Sequence, residues 1–141
     1  MATIAFFSQD IPFKLSTPRN TKRWIQDVIL REEKELVHLN YIFCSDEYLL
    51  SINEQYLNHT TLTDIITFDN SEKKEEIEGD VYISIERVRS NSEELQTNFD
   101  EEVHRVLIHG VLHLVGYGDK TKEEISLMRK KEDAYLSLRR N

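Results

Sequence analysis

Between Asn98 and Gly116 the chain carries Val103, Val106, Leu107, Ile108, Val111, Leu112, Leu114 and Val115, which put apolar side chains on nearly every side of a helix. Such a helix belongs in the middle of a fold, so the rest of the chain must wrap it. Two histidines interrupt it. His109 and His113 are four residues apart, leave the same helix face one turn apart, and need polar partners when buried. Gly116 ends the helix, because a glycine accepts the left-handed conformation that turns the chain back and brings Asp119 towards both imidazoles. Three of the chain's four glycines, Gly110, Gly116 and Gly118, fall between His109 and Asp119.

The layout His-x-x-x-His-x-x-Gly-x-x-Asp offers three donors and leaves room for water, the pattern of a catalytic rather than a structural metal site. A bare histidine pair at this spacing describes two satisfied core residues equally well; the glycine turn and the third donor favour the metal. His109, His113 and Asp119 are the candidate ligands. Zinc is the expected ion, with another divalent metal as the alternative, since two histidines and a carboxylate also describe the facial triad of non-haem iron. Gly110 follows the first histidine where the zincin helix, HExxH, has a glutamate, so the general base of metallopeptidases is missing.

HGVLHLVGY, from His109 to Tyr117, resembles the signature HGxLHLxGYDH of the YbeY family of bacterial endoribonucleases. TDIITF at Thr63–Phe68 is similar to the family's TDVLSF, and GDVYIS at Gly79–Ser84 to its GDIxIS. The three stretches keep the family's order and spacing, and length and element order agree with the family over nearly the whole chain. The resemblance implies a small sheet with the metal helix behind it, metzincin-like in outline, and one zinc ion per chain. It also implies metal-dependent hydrolysis of single-stranded RNA in the maturation of small-subunit ribosomal RNA and in ribosome quality control. The implied partners are ribosomal RNA and ribosomal particles or assembly proteins, not DNA. Two positions depart from the pattern: Asp119 stands where the family has a third histidine, and Leu57 where many members carry an arginine. With Gly110 in place of a base, proton removal falls to hydroxide on the ion, to the substrate phosphate or to a residue outside the motif. No catalytic base is assigned. Asp64, Thr67, Asp80 and Ser84 belong to the matched stretches and are candidates to line the cleft; strand-end capping and turn formation explain them as well.

The chain has 141 residues, enough for one domain, 1–141, with a real core, and no internal boundary stands out. Its longest apolar run, Val106–Val115, is too short for a bilayer, and Met1–Asp10 has no basic n-region, so a soluble protein without a membrane partner is expected. Cys44 is the lone cysteine, which excludes an internal disulfide framework, suits a reducing cytoplasm and fits a small buried side chain. The net charge of −8 argues against a general electrostatic grip on nucleic acid. RNA contact would come from a few cations, with Arg105, Lys120 and Lys122 the candidates.

Strands are expected at Thr3–Ser8, Val37–Cys44, Ile65–Phe68 and Asp80–Ile85. The charged Asp69–Glu78 stretch between the last two reads as a mobile loop, and Asn58–Thr61 as a polar connection. Helices are expected from Pro18 through Trp24, Ile25, Val28 and Ile29; from Ser45 as N-cap to about Tyr56; and, more weakly, over Arg87–Gln96. Two more are expected, one from the Asn98 cap and one from a capping box at Thr121–Glu124 whose Ile125, Met128 and Leu136 would cover the core. The expected fold is α/β (α+β): a mixed sheet of about four strands with packed helices, one of them central and metal-binding. Three function classes follow: a metal-dependent endoribonuclease, a metallopeptidase, and a non-catalytic ribosome-assembly factor with a structural metal.

Overall fold

The computed structural model describes residues 2–57 and 63–139. Within them the order is β1 (Thr3–Ser8), α1 (Pro18–Arg31), β2 (Glu35–Cys44), α2 (Asp46–Leu57), β3 (Ile65–Asp69), β4 (Glu76–Ser84), α3 (Ile85–Leu95), α4 (Phe99–Val115) and α5 (Lys122–Ser137). One mixed sheet runs β1-β2-β4-β3, with β1, β2 and β4 parallel and β3 antiparallel to β4. The expected mixed α+β class and four strands are what is found. The connection expected at Asn58–Thr61 lies outside the described residues.

Alternation in the strands sorts the two faces. Leu39, Tyr41, Phe43, Ile77, Val81 and Ile83 join α1 and α4 in the main core, while Cys44 and Ile66 join Leu49 and Ile52 of α2 on the other face. Helix α4 is the central element: Leu107, Ile108, Val111 and Leu112 are fully buried, each worth about 1.5–3 kcal/mol on leaving water. It packs on β3, β4, α1, α3 and α5. Tyr41 ties the helix to the sheet by donating its hydroxyl to the Leu107 carbonyl at 2.9 Å.

The helix starts follow their caps. Ser45 accepts the amide of Tyr48 at 3.1 Å, Asn98 accepts that of Glu101 at 3.1 Å, and Thr121 and Glu124 close a reciprocal capping box. Element boundaries differ from expectation mainly around β2, β4 and α3. Glu35 and Leu36 extend β2, and Glu76–Glu78 are strand rather than mobile loop, because Glu35 and Leu36 pair with Glu76 and Ile77 in the parallel ladder. The turn left between β3 and β4 is pinned by Asn70 N–H to the Glu78 carbonyl and by Asp69, which accepts both the amide and hydroxyl of Ser71. Ile85 opens α3 instead of ending β4, since the Ser84 hydroxyl accepts the Arg87 amide at 3.0 Å and caps the helix there.

Candidate metal centre

His109 and His113 sit in the last two turns of α4, half-buried, with their rings edge to face at 4.5 Å between centroids. The helix stops at Gly116, where φ is +127°, a conformation L side chains rarely adopt. The amide of Gly116 bonds back to the Leu112 and His113 carbonyls, and that of Tyr117 to the Leu112 carbonyl, so the chain reverses within two residues. Gly118 serves by its size: a side chain there would collide with Glu124, which caps α5.

This reversal places Asp119 Oδ2 at 3.2 Å from Nε2 of His113 and 3.6 Å from Nε2 of His109. Donor atoms bonded tetrahedrally at zinc distances are about 3.3 Å apart, so these separations fit such an ion. One ligand atom from each of the three residues lies within 4.8 Å of the others.

The opposite ring nitrogens are committed elsewhere. Nδ1 of His113 is 3.0 Å from the Tyr117 carbonyl, and Nδ1 of His109 is 2.6 Å from Oε2 of Glu132. Both acceptors require a proton on Nδ1, which leaves the Nε2 lone pairs of both rings facing Asp119. Burial by itself would lower the pKa of His109, but the hydrogen bond and charge of Glu132, with Asp64 and Asp119 adding, raise it above the ordinary imidazole value.

Glu132 is buried and also accepts Arg105 Nη1 at 3.0 Å, while Arg105 Nη2 donates to Asp133 at 2.8 Å. Arg105, expected as an RNA contact, is therefore held by α5 carboxylates. Lys120 and Lys122, the other two expected contacts, are absent from the described lining of the recess. Helix α5 does more than cover the core. Its buried positions are Met128, Glu132 and Tyr135, while Ile125 is exposed, so it presents a carboxylate to His109 from within an apolar stripe. An acid one turn from Met128 and almost one from Tyr135, on the apolar side of the helix, is the sequence signal for Glu132.

Another carboxylate braces the turn. Glu32, at the end of α1, accepts the hydroxyls of Tyr117, at 2.7 Å, and Tyr135, and the Lys131 ammonium at 3.1 Å. Burial pushes its pKa up, but these three donors outweigh that and hold it below the ordinary value. Tyr117 thus joins His113 through its carbonyl and α1 through its hydroxyl.

The tripod opens into a recess of about 390 Å³. Asp64 and Thr67 line it, as expected of candidates from the matched stretch, together with Asn91 of α3 and Arg129 of α5. Burial raises the Asp64 carboxyl above its ordinary range, and the attraction of His109 only partly offsets this. Asp80 and Ser84 do not line it. Asp80 accepts Asn40 at 3.0 Å across the β2–β4 ladder, and Ser84 caps α3 and donates to Asp46 at 2.6 Å. Gly110 packs on the sheet: a Cβ there would lie 3.0 Å from Val81 Cγ1 and 3.3 Å from Ile65 Cδ1. The core histidine of this helix is His104, 1% exposed, bonded to Thr21 and to the Asp100 carbonyl.

The family model for endoribonuclease YbeY matches residues 5–139. A curated endoribonuclease YbeY of Cytophaga hutchinsonii is 51% identical over 138 residues, 98% of this chain and 96% of that protein. One of Flavobacterium psychrophilum is 52% identical over 132 residues, 94% of each chain. The solution structure of TM1509 from Thermotoga maritima superposes with a TM-score of 0.70 at 27% identity, covering 96% of this chain and 87% of that one. The chain belongs to the endoribonuclease YbeY family.

Proposed function

We infer that the chain acts as one metal-dependent endoribonuclease domain that hydrolyses phosphodiester bonds in RNA, with ribosomal RNA of the small subunit as substrate. The observation that carries this reading is the pair of Nε2 atoms turned to the Asp119 carboxylate while both Nδ1 atoms are held by acceptors. Two imidazoles and a carboxylate are an accepted zinc donor set, so His109, His113 and Asp119 would hold one zinc ion. A bound divalent ion supplies charge to polarise a phosphoryl oxygen and to acidify the attacking water. Glu132 and the Tyr117 carbonyl fix the tautomers and aim of the two rings. Asp64, raised in pKa and facing the same recess, is the carboxyl placed to hold or pass a proton there. The peptidase alternative gains no support, since Gly110 has no carboxylate and lies against Val81 and Ile65. No helix among the described residues is long and apolar enough to cross a membrane, and the reading includes a cytoplasmic setting among ribosomal particles or assembly proteins.

His109→Ala and His113→Ala test this. Each should lose bound metal, measured by elemental analysis of protein purified without chelator or histidine tag, and lose cleavage of single-stranded RNA. Full metal stoichiometry in both variants would refute the ligand assignment, and a metal-loaded wild type that leaves RNA intact would refute the activity.

A further inference from the structure

The recess is acidic before any RNA arrives. Asp64, Glu102, Asp119 and Glu132 line it against two cations, Arg105 and Arg129. A polyanion held there needs a cation that stands at the wall and is not already bonded. Arg105 is at the wall but taken: its side chain is 17% exposed and its two terminal nitrogens donate to Glu132 and Asp133. Arg129 is different. It lies on α5 one turn before Glu132, its side chain is 57% exposed, and its ion-pair contact among the described residues is Glu132 Oε1 at 3.8 Å. That separation is too long for a hydrogen bond, and the same oxygen already accepts Arg105. The other oxygen of Glu132 holds His109, so a guanidinium with no hydrogen bond among the described residues stands across a single carboxylate from the tripod.

We propose that Arg129 grips a backbone phosphate of the RNA strand lying in this recess, the contact that lets an acidic protein hold a polyanion beside its metal ligands. The proposal rests on the nuclease reading of the site. A guanidinium suits the task because its planar fork meets two phosphate oxygens at once, whereas a lysine acts as a point charge. Loss of one phosphate contact on a single strand makes the dependence of log affinity on log salt shallower by about 0.7.

The test uses zinc-loaded wild type, Arg129→Ala and Arg129→Lys. Binding of a fluorescein-labelled single-stranded RNA is measured in the cold over a salt series, with gels confirming intact RNA, and zinc content is determined in each protein. Cleavage of the same RNA is followed separately on warming. Arg129→Ala should bind roughly tenfold more weakly, with the salt slope reduced by about 0.7 and zinc content unchanged. Arg129→Lys should keep the slope and lose part of the affinity. Unchanged affinity and slope in Arg129→Ala would overturn the proposal. Loss of zinc in that variant would do the same, because Arg129 would then act on the ligand set through Glu132. Failure of the wild type to cleave bears on the nuclease reading alone, since the binding slope decides Arg129 either way.

Discussion

The carboxylate of Glu132 lies 2.6 Å from Nδ1 of His109, so α5 sets the aim of a ligand carried by α4. A partner of this kind typically contributes 10- to 100-fold to metal affinity. Glu132→Gln should therefore weaken zinc binding by roughly that factor in a chelator competition, with the fold retained by circular dichroism. Unchanged affinity would show that His109 needs no orienting carboxylate.

The same contact predicts opposite pH responses with and without metal. The native pKa of His109 is raised, so its protonation stabilises the metal-free protein fully below the unfolded value of about 6.5, and that contribution is lost as pH rises through the higher native value. Metal competes for the deprotonated ring, so zinc affinity should begin to fall at a pH above about 6.5 as the solution is acidified. Melting temperatures taken in chelator and in excess zinc should diverge as pH rises from about 6 to about 8. Parallel curves would remove His109 as the proton-linked ligand.

Asp119 is brought near both imidazoles by the turn at Gly116, which makes it a direct test of the third donor. Asp119→Ala should lower metal affinity strongly, and wild-type affinity would place the third donor elsewhere. Asp119→His should keep the ion through a nitrogen. Because a carboxylate cancels one of the ion's two charges, bound water should be less acidic and wild-type activity should rise at a higher pH than that of Asp119→His; coincident pH profiles would contradict this.

Restoring the peptidase pattern with Gly110→Glu should damage the fold rather than create an activity. Even the first carbon of a side chain would sit 3.0 Å from Val81, and the carboxylate would be pressed against the sheet. Overpacking and a desolvated charge together should cost roughly 3 kcal/mol or more in denaturant unfolding. A variant of wild-type stability would mean that α4 can move off β3 and β4.

Glu32 holds Tyr117, Tyr135 and Lys131 together, and Glu32→Ala should cost about 3 kcal/mol by leaving those donors unpaired. Its lowered pKa stabilises the native state above the unfolded value of 4.5, and the contribution is lost as pH falls through the lower native value. Glu32→Gln should flatten that acid limb of the stability curve. A variant with the wild-type acid limb would assign the pH dependence to other carboxylates.

What was legible in the sequence was what neighbours along the chain decide. Helical spacing put His109 and His113 on one face, Gly116 announced the reversal towards Asp119, and Asn98 and Thr121 marked helix starts that the structure keeps. Apolar content on all sides identified α4 as central, because no other environment accepts it. Tertiary structure alone decided the rest. Asp80 and Ser84 are equivalent to Asp64 and Thr67 as members of matched stretches, but the sheet register sets Asp80 opposite Asn40 and Thr67 opposite Val81, on the face that Gly110 of α4 packs against, while Asp64, just before β3, lines the recess. Nothing along the chain ties Arg105 or gives the last helix more than a covering role; both are decided where α5 folds onto α4, its carboxylates holding Arg105 and Glu132 meeting His109. Those outcomes depend on groups that are neighbours only across packed elements. Local periodicity records which face of an element is buried; it does not record which polar group on another element that face will meet.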